Sequence, residues 1–93
     1  MKFLFFHLMP WDTFPKEGPE WPVSNREFDP VKATDVYKTY IDTMAYAEDC
    51  GFDAVGCNEH HFSPFGLMTN PNLIGSALIQ RTKRVKLAMV GSL

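Results

Sequence analysis

The chain has 93 residues, 45% of them apolar and 14% aromatic, and a net charge of −2. That composition suits a globular protein with one modest core and not a disordered chain. The near-neutral charge gives no reason to expect nucleic acid as a partner, and no apolar run approaches the ~20 residues of a membrane-spanning helix.

Lys2 to Met9 is an unbroken apolar run of strand length stopped by Pro10. It predicts a strand buried on both faces, as in a parallel sheet. Its start does not read as a signal peptide, because Pro10, Trp11 and Asp12 follow where small cleavage-site residues would stand. Residues 10–30 carry Pro10, Pro15, Pro19, Pro22 and Pro30 with Gly18 among them, and also Trp11, Phe14, Trp21 and Phe28. A loop of that length within a compact domain is a lid, a binding loop or a partly disordered segment.

Asp29-Pro30 predicts a helix cap followed by proline in the first turn. Val36, Tyr37, Tyr40, Ile41, Met44, Ala47 and Cys50 then fall at helical spacing, and Gly51 ends the helix. The run FDAVGCN is a second strand. Asn70-Pro71 repeats the cap, and Leu73, Ile74, Ala77 and Leu78 mark a second helix. A third strand begins near Val85. Acidic residues gather at Asp42, Glu48, Asp49 and Asp53, and basic ones at Arg81, Lys83, Arg84 and Lys86, a set that reads as a solvated helix end. Cys50 and Cys57 match neither a disulfide framework nor a zinc spacing, and read as two buried, reduced thiols of a cytoplasmic protein.

Strands alternating with helices predict an α/β fold with a parallel sheet. Three strands and two helices complete no common α/β domain, so residues 1–93 are expected to open a larger barrel or doubly wound domain. A barrel is favoured because no Gly-rich turn follows the first strand.

The stretch DAVGCNEHHFSPFG holds the polar cluster Asn58, Glu59, His60 and His61 at the carboxyl end of the second strand. Active sites of parallel α/β proteins lie at such ends. Alternation of side chains places Asn58 with His60 and Glu59 with His61. Three readings stand. Glu59 and His61 anchor the following loop, the cluster binds a metal, or His60 handles a proton near neutral pH.

The segment CGFDAVGCNEHHFSPFGLMTNPNLIGSALIQRTKRVKLAMV resembles the amino-terminal part of the bacterial luciferase-like monooxygenases. The likeness lies in GFD before the second strand, EHHF at its end, NP opening the second helix, and RTKRVKL before the third strand. It implies the first three strands and two helices of a (β/α)8 TIM barrel, incomplete at 93 residues. It further implies reduced FMN supplied by a flavin reductase, O2 and a small organic substrate as reactants, no metal, and a homo- or hetero-oligomer. His60 takes the place of the family's first EHH histidine, near the reactive edge of the flavin. Glu59 falls beside the flavin ring, and the backbone of Met89, Val90 and Gly91 against it, with a non-prolyl cis peptide near Val90–Gly91.

Trp11, Phe14 and Trp21 are available to cover an apolar substrate or to pack on the barrel. His7 either faces the same pocket or is a satisfied buried histidine. The family's flavin phosphate site and most of its substrate pocket come from later strands, and no phosphate-binding loop is visible here. The 93 residues alone are therefore expected not to hold flavin tightly. The alternatives are a truncated, non-catalytic flavin-binding or assembly fragment, and a metal-dependent barrel hydrolase. A deazaflavin in place of FMN stays open.

Overall fold

A computed structural model describes residues 1–14, 17–18 and 20–91. Three parallel strands, β1 (Leu4–His7), β2 (Ala54–Asn58) and β3 (Lys86–Val90), form one sheet in the order β1-β2-β3. Helix α1 (Pro30–Asp49) joins β1 to β2, and α2 (Pro71–Ile79) joins β2 to β3. The α/β reading with a parallel sheet therefore holds, at the level of three strands and two helices.

Both helices start as their sequences dictate. The Asp29 carboxylate accepts the N–H groups of Val31 (2.9 Å) and Lys32 (3.2 Å) ahead of the Pro30 turn. Asn70 Oδ1 accepts the Asn72 N–H at 3.1 Å. Each cap satisfies donors that no helical carbonyl can reach. Helix α1 buries Ala33, Val36, Met44 and Ala47, and its C-cap is Cys50.

The register sorts the strand residues onto two faces. Phe5, Val55 and Leu87 align across the sheet, as do His7, Cys57 and Met89. These face the helices: Val55 and Cys57 are fully buried, with Phe5, Leu87 and Met89 packed around them. The opposite row runs Leu4–Ala54–Lys86, Phe6–Gly56–Ala88 and Asn58–Val90. No element among the described residues covers it, and Leu4, Phe6 and Val90 are exposed.

Four expectations need correction. β1 is an edge strand of four residues, not a strand buried on both faces; its alternate residues Leu4 and Phe6 lie on the uncovered side. Cys57 is buried but Cys50 is exposed, because the C-cap turns it out of the α1 core face. The basic run lies just past the helix end, not on it, with its side chains exposed: Arg81, Lys83 and Arg84 form the loop after α2, and Lys86 opens β3. There Arg81 pairs with Asp42 at 2.5 Å and the Glu48 carboxylate gathers the backbone N–H groups of Lys83, Arg84 and Val85. The two charge blocks are thus partners in space. Finally, parts of the 10–30 loop are core: Trp11 and Val23 are buried, Trp11 packs on Phe28, and Asn25–Glu27 is a 3-10 turn. Pro15, Lys16 and Pro19 of that loop lie outside the described residues.

Candidate functional site at the strand ends

β2 and β3 end side by side, Asn58 opposite Val90. The chain leaves β2 through Glu59, His60 and His61 and leaves β3 through Gly91, whose φ of +90° a residue with a side chain rarely adopts. A β-carbon on Gly91 would stand 3.6 Å from Glu59 Cβ, so the two strand exits lie side by side with room for no more than a small side chain between them. Below them the uncovered sheet face is floored by small residues. Gly56 is required there, because a β-carbon on it would stand 2.3 Å from the Ala88 carbonyl oxygen. The side chains of Phe6 and Leu4 border this floor on the β1 side.

The two adjacent histidines have different surroundings. The His60 N–H donates to the Met68 carbonyl (3.1 Å), its Nε2 lies 3.2 Å from Ser63 Oγ, and its ring packs near Phe65. His61 is half exposed, and its Nε2 lies 2.5 Å from Glu59 Oε1. Alternation along the chain therefore pairs Glu59 with His61 as expected. The loop anchoring assigned to that pair falls instead to His60. Ser63 and Met68, its partners, were not singled out from the sequence; nothing in their spacing marks them before the turn at Phe62 is known.

Phe62 makes that turn at φ +69°, with its side chain 98% exposed. Leu67 returns the chain, donating to the Met9 carbonyl (2.9 Å) while its own carbonyl accepts the Tyr37 hydroxyl. Tyr40 donates to the Pro10 carbonyl at 2.7 Å. Helix α1 thereby fixes both loops at this end of the sheet. A cavity of about 300 Å³ lies beside the turn, lined in part by Phe28, Tyr37, Phe62 and Leu67.

The remaining site expectations are placed as follows. The His7 ring lies against Tyr40 (4.6 Å between centroids), and its Nδ1 accepts the Met9 N–H at 2.9 Å. Burial lowers its pKa from 6.5. Trp11 is 2% exposed. Neither side chain meets the open face: the register turns His7 toward α1, and Trp11 lies in the core cluster. The Met89 side chain lies under α2, its sulfur 3.9 Å from Cys57 Sγ and 3.3 Å from the β-carbon position of Gly75. Only its backbone is at the strand end. The cis peptide among the described residues is Trp21–Pro22, so the expectation of one at Val90–Gly91 is also corrected.

Burial raises the Cys57 pKa, which keeps the thiol protonated rather than nucleophilic. Among the described residues, no group of three His, Cys, Asp or Glu side chains converges as a metal would need. None of the described helices is long and apolar enough to cross a membrane. At the opposite ends of the strands, a cavity of about 460 Å³ is lined by Lys2, Asp53, Arg84 and Lys86 among others.

Comparison with known proteins bears on this geometry. A family model described as luciferase-like monooxygenase matches residues 1–91. The alkanal monooxygenase alpha chain of Photorhabdus laumondii is 40% identical over 52 residues, which is 56% of this chain and 14% of that protein. The protein y4wF of Sinorhizobium fredii, uncharacterized, is 43% identical over 53 residues, 54% of this chain and 16% of its own length. The alkanal monooxygenase alpha chain of the Kryptophanaron alfredi symbiont is 37% identical over 51 residues. The matches thus span about a seventh of these relatives' lengths.

Proposed function

The chain belongs to the luciferase-like monooxygenase family, and from that premise we propose that residues 1–93 are the opening portion of a (β/α)8 barrel that oxygenates a small organic substrate with reduced FMN and O2. The observation that carries this reading is the meeting of Glu59, His60 and Gly91 at the ends of two parallel strands, above a floor of small apolar residues. Carboxyl ends of strands are where parallel barrels place their chemistry.

The residues present fit a flavin. Ala54, Gly56 and Ala88 leave a smooth apolar floor of the kind a planar ring system packs on. Asn58, on the same face, keeps Oδ1 without a hydrogen-bond partner. Gly91 carries no side chain to keep a ligand from the backbone at the β3 exit. Glu59, the backbone of Met89 and Val90, and Gly91 would hold the ring. Bound reduced flavin would supply the reaction with oxygen.

This chain's residues would then orient the ring, exclude water and move one proton. His60 is the proton-handling group in this reading. Its backbone N–H is held by the Met68 carbonyl and its ring lies beside Ser63 Oγ, so the imidazole stands at the strand exit before any ligand arrives. Such pre-positioning is what general acid–base catalysis requires. A reductase supplying the flavin, a subunit partner and a cytoplasmic setting belong to the same proposal.

Replacing His60 by alanine tests it. Oxygenation of substrate by the active enzyme is expected to fall roughly 10²-fold or more, with flavin affinity kept. An unchanged rate would remove His60 from the mechanism.

A further inference from the structure

Two neighbouring histidines stand at the strand exit, and their hydrogen-bond partners differ in kind. Ser63 Oγ, beside His60 Nε2 at 3.2 Å, can donate or accept, and it also receives the Phe65 N–H at 3.4 Å. It leaves the His60 tautomer unfixed. The Glu59 carboxylate, 2.5 Å from His61 Nε2, only accepts when ionised. The proton between them must therefore be carried on Nε2, and a neutral His61 ring presents Nδ1 as a bare lone pair. Among the described residues, Nδ1 of His61 has no hydrogen-bond partner.

We propose that Glu59 is a positioning residue that fixes His61 as a second proton acceptor at the strand exit, beside His60. The inference rests on the reading of this exit as the reaction site, and it divides the labour between the histidines. His60 is bound into the loop. His61 is half exposed and carries an open acceptor nitrogen. Glu59 is held in turn: its side chain is mostly covered, and a β-carbon on Gly91 would come within 3.6 Å of its Cβ. The carboxylate–imidazole pair thus stands where the chain leaves β2, beside the end of β3.

Long-range proton–nitrogen correlation spectra of the imidazole rings in the intact chain test this directly, at a pH where both rings are neutral. His61 is expected to show the Nε2–H tautomer alone. Glu59→Ala is expected to convert it to a mixture, and so is Glu59→Gln, whose amide can donate as well as accept. Ser63→Ala is expected to change the His60 pattern and leave His61 as it was. A tautomer mixture at His61 in the unmodified protein, or a pattern that survives both Glu59 substitutions, would overturn the proposal. FMN titration separates this from the broader reading. If FMN leaves the Gly91 amide unmoved while the tautomer result holds, the flavin reading fails and the Glu59–His61 assignment stands.

Discussion

The carboxylate of Glu48, at the end of α1, accepts the backbone N–H of Val85, at the entry to β3, at 2.8 Å. The same carboxylate takes the N–H groups of Arg84 (2.6 Å) and Lys83 (3.1 Å), while Arg84 Nη2 returns a hydrogen bond to the Glu48 carbonyl. One acidic residue thereby shapes the turn that launches β3, and so sets where that strand ends at Val90 and Gly91. The hydrogen bonds from Val85 and then Arg84 lower the Glu48 pKa from 4.5. Asp53 is lowered from 3.8, first by the Lys2 side chain and then by the Phe3 N–H.

These shifts predict an acid limb of stability. A carboxylate lowered in the folded state stabilises the fold above its unfolded value and loses that contribution as pH falls through its folded value. Glu48 and Asp53 therefore act below about pH 4.5. His7 acts earlier and by the opposite chemistry. Its folded pKa is below 6.5, so the unfolded chain takes up the proton first and stability begins to fall below about pH 6.5. Urea midpoints measured from pH 7 downward should show both stages. Glu48→Gln should lower stability at pH 7 and flatten the lower stage, and His7→Gln should flatten the upper one.

Gly56→Ala should destabilise the protein by about 2 kcal/mol or more, since the added carbon meets a backbone carbonyl oxygen that cannot move without breaking β2–β3 pairing. Chemical denaturation of the variant checks this. A cost under about 0.5 kcal/mol would show that the strands can separate at Gly56 without penalty.

Phe62→Gly should do the reverse. A side chain in the left-handed region costs ~1–2 kcal/mol, glycine gives back ~0.5–1 kcal/mol of that in chain entropy, and Phe62, 98% exposed, has only the rim of the neighbouring cavity and a ring contact with His61 to lose. The expected gain is about 0.5–1 kcal/mol, read as a rise of a few degrees in melting temperature.

What was legible in the sequence was local. Asp29-Pro30 and Asn70-Pro71 announce their helices because a cap and a proline act within one turn. That Glu59 and His61 share one side follows from alternation; their hydrogen bond does not. The Glu48 clasp does not, since its partners lie 35 to 37 residues away and are backbone groups with no side-chain signature. Leu4 and Phe6 read as buried because an apolar run does not say whether a second layer covers it. His7 lies near a strand end, yet register turns its ring toward α1. The Met89 side chain likewise turns toward α2, while its backbone, the part that the family resemblance places against a flavin, stays at the strand end. Proline-rich neighbours mark Trp11 as a loop residue but do not say that the loop folds into the core, as it does.

The measurement that bears most directly on the function proposed is a titration of FMN into the labelled chain, followed by backbone amide shifts. Weak binding is sufficient for this readout. The account predicts that the amides of Asn58, Glu59, His60, Val90 and Gly91 move together and saturably, while those of Lys2, Asp53 and Lys86 at the opposite strand ends stay in place. Shifts confined to the Lys2, Arg84 and Lys86 end, where basic side chains would attract the phosphate alone, would contradict it.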